Sequence, residues 1–134
     1  MSKLKINNGQ IVLDGVLVGI LTKYISNSVS RKELLSMFPE SKCQKLIVSL
    51  NLKPQFKYIW IQDINVFAKY RGKGIMRNVI QILEKPNTLI ACAPGTGVKG
   101  GGRMPSDARH KVYKKLGFKL AYEKYHHYAF RYTR

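Results

Sequence analysis

A short segment, Tyr70 to Ile80 ("YRGKGIMRNVI"), carries the residue types that bind an anion. Gly72 and Gly74 stand just before an apolar helical pattern, and the bases Arg71 and Lys73 alternate with them. The first turn of a helix leaves backbone N–H groups without partners and carries a partial positive charge. Glycine lets the backbone approach an anion closely. The segment therefore predicts a phosphate-binding turn at a helix N-terminus.

The two commonest nucleotide-binding motifs do not match this segment. The Walker pattern GxxxxGK[ST] is absent, and no GxGxxG occurs in the region. Both motifs place their glycines at fixed spacings because the backbone must wrap a phosphate chain in a particular way. The absence of both motifs therefore argues against the P-loop and dinucleotide-binding classes of protein.

Charge is the strongest compositional signal. The 134 residues include 24 Lys+Arg against 7 Asp+Glu, which gives a net charge of +17. Such a field attracts polyanions and makes binding dependent on salt. RNA, DNA or a ribosome-associated molecule is therefore an expected partner, and the alternative is a basic surface that only keeps the protein in solution.

The remaining composition points to one folded domain away from membranes. Apolar residues make up 45% of the chain, enough for a core in a domain of this size. The longest apolar run, Gly15 to Leu21, is far shorter than the roughly 18 residues that cross a bilayer. Cys43 and Cys92 have no metal-ligand spacing and suit a reducing compartment. We therefore expect a cytoplasmic protein with core thiols, no metal and no membrane partner.

The elements that must position the turn can be read from the pattern of apolar residues. Asp14-Gly15 predicts a hairpin between Gln10–Leu13 and Val16–Tyr24. Ser30 and Glu33 have the spacing of a capping box, which predicts a short helix before Pro39. The segment from Lys45 to Leu52 is ambiguous, and its alternation favours a strand.

The second half of the chain predicts alternating strands and helices around the turn. A strand apolar on both faces precedes the turn, and a helix that Pro86 stops follows it. A second buried strand, a Gly-rich loop ("PGTGVKGGGRMPSD"), a helix ending at Gly117 and two terminal strands come next. The expected bounds are Tyr58–Val66, Ile75–Lys85, Thr88–Ala93, Ser106–Gly117, Phe118–Glu123 and Tyr125–Tyr132.

Two segments in this order resemble motifs of the GNAT superfamily of acyl-CoA-dependent N-acyltransferases. "INVFAKYRGKGIM" is similar to the acetyl-CoA motif, with Val66 ending a strand and Arg71, Gly74 and Met76 at the signature positions. "VYKKLGF", from Val112 to Phe118, is similar to the later motif of the family. Met76 departs from the pattern, since the family usually has Gly or Ala there.

The resemblance implies one α+β domain over residues 1–134. It covers roughly residues 58–134, whereas residues 1–57 are less typical of the family. The implied fold is a GNAT-like, mixed but mostly antiparallel central sheet flanked by helices. The implied function is transfer of an acetyl or other acyl group from acetyl-CoA to an amine.

The resemblance also implies a set of cofactor-binding residues. In the family, main-chain amides of the turn bind the pyrophosphate of coenzyme A, and the end of the preceding strand pairs with the pantetheine arm. In this chain the matching residues are Ile64, Asn65, Val66, Arg71, Gly72, Lys73, Gly74, Ile75 and Met76.

Two catalytic residues are implied in the same way. Tyr113 matches the tyrosine that commonly protonates the leaving thiolate, and Asp63 is the candidate general base, next to Gln62 where Glu is frequent. A base must deprotonate an ammonium before the amine attacks. The acceptor is expected to be a nucleic-acid-associated amine or a protein lysine.

The alternative function is a non-catalytic, GNAT-like module that binds nucleic acid. The C-terminal "KLAYEKYHHYAFRYTR" interleaves bases with aromatic rings that can stack on nucleobases, or can simply pack on the core. His126 and His127 would face opposite sides of a strand, and no third ligand has suitable spacing. With His110, these histidines are expected to be structural.

Overall fold

The computed structural model describes residues 3–93, 106–123 and 126–134. Four strands and then two helices make up the first part of the chain, and two strands, a helix, a strand, a helix and two strands follow. The strands are β1 (Leu4–Asn7), β2 (Gln10–Leu13), β3 (Val16–Thr22), β4 (Ile25–Ser30), β5 (Gln55–Ile61), β6 (Asp63–Val66), β7 (Thr88–Cys92), β8 (Lys119–Glu123) and β9 (His126–Thr133). The helices are α1 (Arg31–Met37), α2 (Ser41–Ser49), α3 (Ile75–Leu83) and α4 (Ser106–Lys115).

The described strands form two sheets with different neighbours. One sheet has the order β1-β2-β3-β6 and is antiparallel throughout. The other has the order β4-β5-β7-β9-β8, in which only β5 and β7 are parallel. The predicted α+β class with a mixed, mostly antiparallel sheet is therefore confirmed.

Gln62 joins the two sheets. Its N–H donates to the carbonyl of Thr22 at 2.9 Å, and its carbonyl accepts from the N–H of Ala93 at 3.2 Å. Before this residue β5 pairs with both β4 and β7, and after it β6 pairs with β3. In the part of the chain that the structure describes, β6 therefore continues beside β3 alone, and the pairing with β7 ends at Gln62 and Ala93; we call this point the strand divergence.

Apolar side chains fill two layers, one on each face of the second sheet. Alternate residues of β5 separate them, since Ile59 and Ile61 face one layer and Phe56 and Tyr58 face the other. The first layer is closed by α3 and α4, and the second by α1 and α2. The first layer matters most for function, because it lies beneath the turn predicted to bind phosphate.

Several local predictions are confirmed. Asp14 and Gly15 both have positive φ, +49° and +82°, as the predicted hairpin turn requires. Ser30 accepts from the N–H of Glu33, whose carboxylate accepts from the N–H of Ser30, so the capping box is complete. The helix after the glycine turn and the two terminal strands are present close to their predicted bounds.

The prediction of a strand between Lys45 and Leu52 is wrong, because Ser41–Ser49 forms α2. Cys43 and Ile47, four residues apart, are the buried residues of this helix and pack with α1 and the second sheet. Val48 is 65% exposed, so the alternation that favoured a strand does not follow burial.

Strands β1 and β4 were not predicted, and most of the predicted Gly-rich loop lies outside the described residues. No helix in the described part of the chain is both long and apolar enough to cross a membrane.

Gly19 offers a test of the contact between β3 and β6. A Cβ placed on Gly19 would lie 2.5 Å from the carbonyl oxygen of Asn65 and 3.1 Å from the Cα of Val66. Because backbone cannot yield as a flexible side chain does, Gly19→Ala should destabilise the protein by about 1–3 kcal/mol. Urea unfolding should show this loss, while Gln10→Ala at an exposed position of β2 should change stability by less than about 0.5 kcal/mol. Equal midpoints for the two variants would contradict the described packing.

Candidate functional site

The edge of β6 that faces away from β3 is the first component of the site. Ile64 donates its N–H to the hydroxyl of Tyr113 at 3.4 Å, so its backbone points away from β3. Backbone direction alternates along a strand, so Val66 points the same way. Within the described residues no strand pairs with this side of β6. The carbonyl of Ile64 and the N–H of Val66 therefore form an open edge that a ligand can meet with main-chain hydrogen bonds. The N–H of Ile64 and the carbonyl of Val66 already bond Tyr113 and Arg71.

The glycine turn is the second component. Gly72 and Gly74 have φ of +79° and +75°, a conformation that side chains with a Cβ rarely adopt. Gly74 is the N-cap of α3 and has no side chain to bond the first N–H groups of the helix. A Cβ built on either glycine meets no atom within 4 Å, so the turn faces open space. The helix start thus presents N–H donors and partial positive charge to a ligand.

A cavity of about 470 Å³ connects these two components. Its walls come from β6, the turn with the start of α3, and the last part of α4. Most wall side chains are apolar, and the charged ones are Arg71, Arg77 and Lys115, so every charge in the lining is positive. A volume of a few hundred Å³ with a few placed polar groups is typical of a small-molecule site. The full lining is Ile64, Asn65, Val66, Tyr70, Arg71, Gly72, Gly74, Ile75, Met76, Arg77, Val112, Lys115 and Leu116.

Arg71 ties the turn to the end of β6. Its Nε donates to the carbonyl of Val66 at 2.9 Å, and its guanidinium lies 3.5 Å from the amide oxygen of Asn65. The guanidinium can make these contacts and still carry its charge at the cavity wall, since it has five N–H donors. Arg71 therefore both fixes the turn and contributes positive charge to the cavity.

Tyr70 lies at the same wall with a lysine on either side in sequence. The ammonium of Lys69 is 5.5 Å from the centre of the Tyr70 ring, and that of Lys73 is 5.9 Å away. Cations at these distances are attracted by the negative face of an aromatic ring. The two contacts hold a half-buried ring and two exposed ammonium groups together at the cavity mouth.

The two predicted catalytic residues lie in the core beneath the open edge. Tyr113 is fully buried and Asp63 is 4% exposed. Both lie next to Cys92 at the end of β7. Burial raises the pKa of the Cys92 thiol, the carboxylate of Asp63 raises it further, and the hydrogen bond with the Tyr113 hydroxyl acts in the opposite direction. The strand divergence therefore holds a phenol, a carboxylate and a thiol in one buried cluster.

The predicted cofactor residues come together, with one exception. Eight of the nine line the cavity, and Lys73 is outside the lining, next to Tyr70. Tyr70, Arg77, Val112, Lys115 and Leu116 also line it and were not predicted. The last three belong to the later motif, whose position against the turn depends on tertiary packing.

His110 and His127 lie on the α4 side of the second sheet, outside the lining of this cavity. A ring nitrogen of His127 is 3.4 Å from one of His110, and both rings pack against Tyr122. Among the described residues no three His, Cys, Asp or Glu side chains are placed to hold a metal ion.

The sequence matches no protein-family model and no curated protein. The chain is similar to the solved structure of NAA60 of Arabidopsis thaliana in complex with acetyl-CoA, at 14% identity and a TM-score of 0.48. That comparison covers 93% of this chain and 77% of the other. An agmatine N-acetyltransferase, the S171A mutant in its apo form, has 11% identity and a TM-score of 0.45, and covers 92% of this chain and 74% of the other.

Proposed function

We propose that the chain is an N-acetyltransferase that moves an acetyl group from acetyl-CoA directly to an amine. The observation that supports this function most strongly is the cavity that joins the open edge of β6 to the glycine turn. It combines main-chain groups suited to an extended amide-containing arm with a helix start suited to phosphate. Coenzyme A carries both an amide-containing arm and a pyrophosphate.

The residues present fit coenzyme A. Its pyrophosphate matches the N–H groups at the start of α3 and the positive charge of Arg71, and the open space above Gly72 and Gly74 leaves room for it. Its pantetheine amides match the carbonyl of Ile64 and the N–H of Val66, which lie along the same cavity. The proposed cofactor residues remain Ile64, Asn65, Val66, Arg71, Gly72, Lys73, Gly74, Ile75 and Met76.

Acetyl-CoA supplies a thioester carbonyl. Asp63 and Tyr113, at the strand divergence, are proposed to accept and donate the protons of the reaction. Asp63 accepts the proton that the ammonium must lose before attack, and a C–N bond forms as the C–S bond breaks. Tyr113 then gives its proton to the leaving thiolate. Its hydroxyl is held for this role by the Ile64 N–H at 3.4 Å and by Cys92. The nitrogen then gives its second proton to the Tyr113 phenolate, and Asp63 releases its proton to solvent, so both residues return to their starting state.

The acceptor is proposed to be an amine that is nucleic-acid-associated or belongs to a protein lysine. The net charge of +17 supports the first of these, because such a surface concentrates polyanions and whatever they carry. We place the reaction in the cytoplasm, since Cys43 and Cys92 are buried thiols of the kind found in reducing compartments.

Gly74→Glu tests the cofactor site, with Gly74→Ala as its matched control. Both variants put a Cβ at φ +75° and share the same backbone strain, but only the first adds a negative charge where phosphate would lie. Coenzyme A at about 100 times its Kd should stabilise the wild type by about 2.7 kcal/mol. The thermal shift should persist in Gly74→Ala and vanish in Gly74→Glu. A shift retained by Gly74→Glu would show that the site is misplaced, and none in the wild type would remove the proposed cofactor.

Tyr113→Phe tests the proposed general acid. The change removes a transferable proton and little packing surface, so affinity for acetyl-CoA should stay nearly constant while acetyl transfer slows by about 10²- to 10⁴-fold. Labelled acetyl-CoA incubated with cell extract, then separated into protein, RNA and small-molecule fractions, identifies the acceptor. Single-turnover transfer to that acceptor then gives the rate of each variant. An unchanged rate would remove Tyr113 from the mechanism.

The second candidate function, a non-catalytic nucleic-acid-binding module, predicts a different result in the labelling experiment. Met76 lines the cavity at the position where Gly or Ala is usual in the family that the two motifs resemble. Cofactor binding without incorporation of label into any fraction would favour this candidate over the transferase.

A further inference from the structure

The basic residues around the cavity extend beyond the part that a small cofactor can occupy. Arg77 and Lys115 line the cavity, and Lys69 and Lys73 lie beside Tyr70 at its wall. Lys111 and Lys114 lie on the same helix as Lys115. All six side chains are exposed to solvent. We call them the α3–α4 basic surface: Lys69, Lys73, Arg77, Lys111, Lys114 and Lys115.

Glu84 on α3 supplies a carboxylate beside this surface, since it shares a small cleft with Arg77 and Lys115. Glu84 forms an ion pair with Arg131, so its charge is already matched. Lys111 and Lys114 lie on the outer face of α4, three residues apart, and their neighbours toward the core are Tyr113 and Val112. The surface therefore keeps a concentrated positive field.

Tyr70 adds a feature that phosphate binding alone does not need. Its ring is half-buried at the cavity wall, and the ammonium groups of Lys69 and Lys73 lie 5.5 Å and 5.9 Å from the ring centre. An aromatic ring beside cations suits an unpaired nucleobase, because a base can replace the two ammonium groups on the ring and stack there while the cations move to the flanking phosphates.

From these observations we propose that the α3–α4 basic surface binds single-stranded nucleic acid, with Tyr70 stacking on a base. The bases of α4 and of the turn hold the backbone on either side of the cavity mouth. This inference does not depend on acetyl transfer, since it concerns exposed side chains that act without a cofactor.

A matched pair of double variants locates the binding surface. Lys111→Gln with Lys114→Gln removes two exposed charges three residues apart on α4. Lys42→Gln with Lys45→Gln removes two exposed charges at the same spacing on α2, at the opposite face of the second sheet. Both pairs lower the net charge equally. They therefore separate a local surface from the general attraction of a basic protein.

Fluorescence anisotropy with a labelled single-stranded oligonucleotide of mixed sequence, titrated at several salt concentrations, provides the readout. Each phosphate contact contributes about 0.7 to the slope of log K against log salt, so the α4 pair should lower the slope by about 1.4. The α2 pair should leave it unchanged. Equal losses in the two pairs, or a flat salt dependence in the wild type, would overturn the proposal. Circular dichroism confirms that each variant is folded.

Tyr70→Leu distinguishes a nucleic acid from other polyanions. Loss of one stacked base should weaken oligonucleotide binding by about five- to a hundredfold and leave the salt slope unchanged, because no charge is removed. Inorganic polyphosphate, which has no bases, should bind the wild type and Tyr70→Leu equally. Oligonucleotide affinity that is insensitive to Tyr70→Leu, or polyphosphate that competes as well as the oligonucleotide per phosphate, would assign the surface to phosphate polymers in general and reject the proposal.

Discussion

The main-chain hydrogen bonds of Gln62 determine the shape of the site. This residue donates to one sheet, at Thr22, and accepts from the other, at Ala93. Beyond this residue β6 pairs with β3, and among the described residues no strand pairs with the other side of β6. Backbone groups without a strand partner must find other ligands, and here the N–H of Ile64 bonds the Tyr113 hydroxyl while the carbonyl of Val66 bonds Arg71. The cavity is therefore a consequence of how the two sheets are joined.

The glycine turn completes what the strand divergence begins. Val66 ends β6 within reach of Arg71, which bonds its carbonyl and so places the turn directly beside the open edge. Gly72 and Gly74 allow the left-handed backbone that brings the start of α3 to the cavity. A single ligand can then contact strand backbone at one end and helix N–H groups at the other. The buried cluster of Asp63, Cys92 and Tyr113 lies under the strand end, where proton transfer would be needed.

Local signals in the sequence predicted the site better than the sheets. The capping box at Ser30, the hairpin at Asp14-Gly15 and the glycine turn each depend on a few adjacent residues, and each is present. The residues between Tyr58 and Val66 were predicted as one strand, because all of them favour extended backbone. Nothing in their types signals the transfer at Gln62 from one sheet to the other, which depends on hydrogen bonds to residues distant in sequence.

Tertiary packing explains the other differences. The polar strand β4 lacks the alternation that marks a half-buried strand, and α2 buries only Cys43 and Ile47. Lys115 and Leu116 reach the cavity because α4 packs against the first layer, and a linear sequence does not indicate which helix will close a cavity. The net charge can be counted in the sequence, but its distribution over the surface cannot. The exposed bases of α4 and of the turn come together only in the folded chain.

Residue-resolved NMR tests the central claim most directly, namely that the open edge of β6 and the glycine turn form one cofactor site. A titration of ¹⁵N-labelled protein with coenzyme A should shift the amide signals of Ile64, Val66, Gly72, Gly74 and Ile75 together, with one binding constant. The amides of α2, on the other face of the second sheet, should stay in place. Shifts confined to α1 and α2, or no shifts at saturating coenzyme A, would contradict the account.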